Sequence, residues 1–142
     1  MSSPEALDPI VAETVLAVTP TQAFVGFTAR MGQWWDPVLT PDAATFTGIS
    51  IEPDGDVATV HGDDEHVWGR VIDWDPTGHY RQEVWLFLDR STPTVLDVSF
   101  LEEDGGTRVR LVHDGWVEGQ EEVREKFARW DDLLARYAAH LS

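Results

Sequence analysis

Near the C-terminus, apolar residues recur at intervals of four, three, four, three and four: Val123, Phe127, Trp130, Leu134, Tyr137 and Leu141. This spacing places one apolar stripe along a helix of about six turns. Residues 45–114 carry no such period. They read as short strands separated by turn-forming clusters at 52–56 (EPDGD), 62–65 (GDDE), 75–78 (DPTG), 89–93 (DRSTP) and 102–106 (EEDGG), which predicts six strands joined by hairpins. A seventh, mostly buried strand is expected over residues 10–18 (IVAETVLAV), where β-branched residues dominate and only Glu13 is charged.

After that first strand, Thr19, Pro20 and Gln22 form a capping-box pattern, so a helix should begin at Pro20 and run to about residue 30. Phe24, Phe27 and Met31 share its inward side. Gly32 permits a turn, and Pro37 and Pro41 confine the Trp34-Trp35 segment to a short helix or a loop. An antiparallel sheet of seven strands curls, and a long apolar helix laid across its concave face buries both surfaces. The expected architecture is therefore α+β: a seven-stranded curved antiparallel sheet wrapped around the C-terminal helix, with two short helices between the first two strands. A chain of 142 residues is expected to form one domain over residues 1–142, with its core between about 10 and 141.

Composition narrows the function. Asp and Glu number 26 against 10 Lys and Arg, a formal charge of −16, which repels phosphate backbones and argues against a nucleic-acid partner. There is no cysteine, so disulfides, thiolate metal sites and a cysteine nucleophile are excluded. The N-terminal MSSPEALDPIVAETV lacks a basic start and an uninterrupted apolar run, so neither a signal peptide nor membrane insertion is expected and a cytoplasmic location follows.

Four segments carry a family resemblance: FVGFTARMGQWWDP (24–37), GRVIDWDP (69–76), TRVRLVHDGW (107–116) and WDDLLARY (130–137). In this order they resemble the SRPBCC superfamily, also called START-like or Bet v 1-like. Within it the chain is most similar to the proteins named after the activator of Hsp90 ATPase homologue (AHSA1-like), over residues 10–141. It departs from their pattern at Thr77 and Gly78, where many relatives carry a second proline and basic residues. The resemblance implies a helix-grip fold with a hydrophobic cavity. Members bind lipids, steroids or polyketides, or assist cyclisation, and one branch stimulates a chaperone ATPase.

The expected function is binding of a small apolar or amphipathic molecule, lipid, sterol-like or polyketide-like. The alternatives are an interaction module for an Hsp90-type chaperone and a cavity enzyme such as a polyketide cyclase or aromatase. The cavity candidates are Trp34, Trp35, Trp68, Arg70, Trp85, Phe100, His113, Phe127 and Trp130, with Trp34 and Trp35 as a gate on a loop over the mouth. Strict alternation sets His66, Trp68, Arg70, Ile72 and Trp74 on one face and Val67, Gly69, Val71 and Asp73 on the other. Were the Trp68 face inward, Arg70 would be a buried cation suited to a carboxylate or carbonyl; were it outward, Arg70 would pair with an exposed acid. A four-residue turn at GDDE would bring His61 and His66 together, yet no third metal ligand is spaced to join them. His113 and Asp114, with Glu83, form a candidate acid/base group without a nucleophile beside it. No catalytic residue, metal or cofactor is assigned.

Overall fold

The computed structural model describes residues 7–40, 42–53 and 55–141, so the readings that concern residues 1–6, Pro41 and Asp54 fall outside them. The chain runs β1 (Ile10–Leu16), α1 (Pro20–Thr28), α2 (Met31–Trp34), a 3-10 turn (Pro37–Leu39), β2 (Gly48–Ile51), β3 (Asp56–His61), β4 (Asp64–Asp75), β5 (His79–Val84), β6 (Thr94–Glu103), β7 (Gly106–Asp114), α3 (Glu121–Phe127) and α4 (Trp130–Leu141). The strands form one antiparallel sheet in the order β1-β7-β6-β5-β4-β3-β2. This is the helix-grip α+β fold.

Turn chemistry fixes the register. Asp104 and Gly105 adopt φ of 50° and 81° between the paired Glu103 and Gly106, the two positive values that a type I′ hairpin needs. His61 pairs with Asp64 across a two-residue turn in which Gly62 has φ 66°, so this hairpin is tighter than the four-residue turn expected. β5 ends at Val84, short of the strand end expected near residue 88, and residues 85–93 form a loop. β1 is a sheet edge, and only Ala12 and Leu16 on its inner face are buried, while Val11 and Val15 are exposed. A run of apolar residues on an antiparallel edge strand thus keeps one face toward water.

The capping box at the start of α1 forms as expected. The Thr19 hydroxyl accepts from the Gln22 backbone N–H at 3.2 Å, and the Gln22 side-chain Oε1 accepts from the Thr19 backbone N–H at 3.0 Å. Phe24, Phe27 and Met31 are buried beneath it. Gly32 does not make a turn; it lies inside α2, where a Cβ would stand 2.5 Å from the Ile49 backbone nitrogen. Its missing side chain lets α2 approach β2.

The C-terminal stripe is helical but interrupted. At Ala128 the N–H is shared between the Arg124 and Glu125 carbonyls at 2.9 and 3.3 Å, a tightened turn that separates α3 from α4. Helical spacing sets Glu122 four residues before Lys126 and Asp132 four before Arg136, but both cations make longer-range contacts. The Lys126 ammonium lies 4.3 Å from the Phe87 ring centroid, and Arg136 donates to the Trp34 carbonyl at 2.9 Å and the Trp35 carbonyl at 3.4 Å.

Gly32→Ala should lower unfolding stability by about 1–3 kcal/mol, the cost of overpacking against backbone, although alanine is the better helix former. Gly48→Ala, whose added methyl meets nothing within 4 Å, should cost far less. Denaturant midpoints of the two variants check this; equal losses would remove the close approach as the reason for Gly32.

Candidate functional site

The concave face of the sheet is filled with rings. Trp34, Trp35, Trp68, Trp116 and Trp130 are each at most 2% exposed, as is Phe127. A water-filled chamber would leave accessible surface on its walls, so little empty space adjoins these side chains. The rings form a continuous column: Trp74 contacts Phe24 at 5.0 Å, and the path continues through Phe100 and Phe27 to Trp34, Trp35 and Trp130. Trp130 then meets His113, which meets Phe127 and Trp116 at 4.9 and 4.6 Å. Trp68 branches from the column, its ring 5.5 Å from Trp35 and inclined by 31°.

Trp34 and Trp35 are therefore central packing residues and not a loop gate. Asp36 accepts from the Val38 N–H at 3.1 Å and folds the 3-10 turn back, so that the Leu39 carbonyl receives the Trp35 indole N–H at 3.0 Å. The Trp34 indole N–H reaches the Gly26 carbonyl at 3.0 Å. The segment is also clamped from α4 by Arg136 and beside it by an Arg129–Asp36 ion pair at 3.2 Å.

Two candidates lie elsewhere. Strict alternation fails along β4 because its pairing with β3 slips at Val57/Ala58 and its pairing with β5 slips at Val71/Asp73. Trp68 and Gly69 are consequently both buried, whereas Arg70 and Ile72 face solvent on the convex side. Arg70 stands opposite Glu83 and is no buried cation. Trp85 follows the end of β5 and is only partly buried. Its indole donates to the Val67 carbonyl at 3.2 Å, the Arg90 guanidinium lies 4.8 Å from its ring centroid, and Leu86 takes the core position.

His113 is fully buried and fully bonded. Its Nδ1 accepts the Trp130 indole N–H at 3.0 Å, which leaves the proton on Nε2. Nε2 then donates to the Thr94 hydroxyl at 2.7 Å, and Thr94 donates to the Val84 carbonyl at 3.1 Å. Protonation would set two N–H donors against each other at Nδ1. Burial, with the positive Arg124 adding to it, pushes the His113 pKa down to about 3. It is thus a neutral strut between helix and sheet and is poorly suited to proton transfer near neutrality. Asp114 is exposed at the strand end. Nothing in the sequence marks Thr94 as the partner that completes this chain; β5–β6 pairing supplies it. The same holds for buried Gln82, whose side-chain oxygen receives the Tyr80 hydroxyl at 2.6 Å.

Of the remaining histidines, His61, His66 and His79 lie toward the surface, while His140 near the end of α4 is partly buried, its Nε2 buried with no hydrogen-bond partner. His61 binds the hydroxyls of Thr45 and Thr59, each at 3.0 Å, while His66 pairs with Thr59 and is exposed. Among the described residues no three His, Asp or Glu side chains are grouped to hold a metal ion. On the convex face His79 hydrogen-bonds both Asp73 and Asp97. Partial burial opposes its charge, but these two carboxylates outweigh that and hold its pKa above the ordinary value.

Fold and interior together define a helix-grip protein of the START-like, Bet v 1-like class. The chain belongs to the family described as activator of Hsp90 ATPase homolog 1-like protein, whose model matches residues 17–142. Among solved structures it is similar to an anthrahydroquino-γ-pyrone synthase complexed with SUM, at 25% identity and TM-score 0.66, over 96% of this chain and 99% of that one. It is also similar to the Aha1 dimer from Colwellia psychrerythraea (15% identity, TM-score 0.66, 95% and 96% covered) and to Ara h 8.0201 (13%, 0.62, 94% and 97%). The last two likenesses concern the fold. No curated protein matches the chain. No described helix is long and apolar enough to cross a membrane.

A folded-state pKa below the unfolded value means that the unfolded chain takes up a proton on acidification while buried His113 does not, so stability falls as pH drops below about 6.5. Between pH 6.5 and 5, above the main carboxylate range, His113 should cost about 1.5–2 kcal/mol. His79 has the opposite sign, adding stability at low pH that is lost as pH rises through its elevated pKa. Urea titrations of the unsubstituted chain and His113→Phe isolate the effect, because the variant should lack that slope. Parallel pH profiles would overturn the neutral-strut assignment.

Proposed function

We propose that this protein binds a small planar apolar molecule between the sheet and α3–α4, acting without catalysis by His113. The observation that carries the reading is the aromatic column. Its rings already pack against one another, mostly tilted or edge to face, at centroid spacings of 4.6–6.3 Å, so a flat ligand that parts two of them exchanges one set of ring contacts for another. The synthase at 25% identity, named for an anthrahydroquino-γ-pyrone, supports the same class of ligand. The expected residues that support the reading are Trp34, Trp35, Trp68, Phe100, Phe127 and Trp130; Arg70 and Trp85 lie outside it.

The filled interior favours one second reading, a surface-acting module that stimulates an Hsp90-type chaperone, as the family description suggests. Such a role needs no internal space, and the net charge of −16 suits a basic partner surface.

Titration with neutral bicyclic aromatics should quench or shift tryptophan emission with one-to-one stoichiometry. Thermal unfolding should rise with ligand, the stabilisation reaching about 2.7 kcal/mol at a hundredfold excess over Kd. No change in emission or melting up to the solubility limit, together with stimulation of a cognate chaperone ATPase, would replace the first reading by the second.

A further inference from the structure

Five tryptophans are fully buried, and four of them place their indole N–H on an acceptor: Trp34 on the Gly26 carbonyl, Trp35 on the Leu39 carbonyl, Trp116 on the His113 carbonyl and Trp130 on His113 Nδ1. Trp68 does not. Its Nε1 is buried with no hydrogen-bond partner; the side chain is 1% exposed and branches from the ring column beside Trp35. An unmet donor in such a place is costly in the free protein, and tryptophan would be a poor choice there if only volume were required.

The rest of the interior limits what can meet that donor. Among the described residues the buried polar side chains are threonines, glutamines and His113. None is a Lys, Arg, Asp or Glu, and His113 is held neutral by its two hydrogen bonds. A fatty-acid or other anionic head would lie there without a counter-charge, which is strongly unfavourable. A pure hydrocarbon would leave the Trp68 N–H unsatisfied.

From this we infer that the ligand is an uncharged planar ring compound bearing a carbonyl-type oxygen, a ketone, quinone, pyrone or lactone, and that the Trp68 indole N–H is the hydrogen-bond donor that orients it. The inference rests on the ligand-binding reading above and adds to it the polar group and the charge state.

Three probes separate the possibilities in the full-length chain: chromone, with one neutral carbonyl; naphthalene, of similar shape with no acceptor; and chromone-2-carboxylate, which is charged. Each is titrated against the unsubstituted chain and Trp68→Phe, with the indole N–H resonances followed by nitrogen-15 NMR. Chromone should shift the Trp68 N–H downfield, and its preference over naphthalene should fall by about threefold to tenfold in W68F, the worth of one hydrogen bond. The carboxylate should bind more weakly than chromone to both chains. If chromone and naphthalene both bind but their ratio is the same in W68F, the donor role is wrong while ligand binding stands. The donor role fails equally if the Trp68 N–H contacts a resident water that persists in the chromone complex. If no probe binds, the ligand-binding reading itself fails and takes this inference with it. Should W68F not fold, the response of the Trp68 N–H in the unsubstituted chain decides the point alone.

Discussion

One buried chain of hydrogen bonds joins the helix to the sheet. It runs from the Trp130 indole through His113 and Thr94 to the Val84 carbonyl, with steps of 3.0, 2.7 and 3.1 Å, and so links α4, β7, β6 and the end of β5. Apolar burial drives the stripe of α3–α4 onto the concave face without regard to direction. The polar chain selects one alignment, because a helix shifted along its axis would leave a buried indole donor and a buried imidazole without partners. The tightened turn at Ala128 follows from the same demand: Phe127 and Trp130, three residues apart, both lie against the His113 ring. The grip thus combines strong but unspecific burial with a weaker specifying contact.

That close packing constrains any binding event. A native-density interior has no room for a guest unless side chains move, so apparent affinity is reduced by the population of the opened state. Opening at the α2 side must release the hold of Arg136 on the Trp34 and Trp35 carbonyls and the Arg129–Asp36 pair. Opening at the far end must release Lys126 from Phe87 and the Gln120 side chain from the Thr92 carbonyl, 3.0 Å away. Both sets of ties connect the C-terminal segment to α2 and to loops and not to the sheet. The sheet can therefore stay fixed while the loops and helix ends yield.

Much of this organisation is legible in the sequence because it is local. The capping box at Thr19, the Asp104-Gly105 turn and the C-terminal stripe each depend on residues within a few positions of one another; the first two form as the spacing predicts, and the stripe is helical with a break at Ala128. The family motifs at 24–37, 69–76, 107–116 and 130–137 add the fold. What the sequence does not reveal is where long-range pairing breaks a local rule. Alternation along β4 assigns Arg70 and Trp68 to one face, but the register slip against β3 at Trp68 separates them, and a second slip against β5 follows at Ile72. Helical spacing offers Lys126 and Arg136 an acid four residues away, yet exposed pairs of that kind contribute only a few tenths of a kcal/mol, and both cations turn to tertiary partners. Trp85 counts among the expected core rings by residue type alone, while the early end of β5 keeps it partly in solvent.

The slip at Trp68 also explains how an unsatisfied donor arises among fully buried indoles that are otherwise bonded. Gly69 pairs with Val57 and Val67 with Ala58, so β3 has no residue opposite Trp68, and the irregularity turns Trp68 and Gly69 to the same side. Two adjacent inward side chains normally collide with their neighbours. Here the second is glycine, at a place where a Cβ would stand 2.6 Å from both the Gln82 side-chain nitrogen and the Glu83 carbonyl. The glycine therefore makes the irregularity possible, and the irregularity delivers an indole to a position that regular alternation would not combine with a buried Gly69. Sheet irregularities that re-aim a side chain are enriched near functional sites. A slip that served packing alone would be met as well by leucine or phenylalanine, neither of which brings a donor into the core, and it is this unneeded N–H that distinguishes Trp68 from the rings around it.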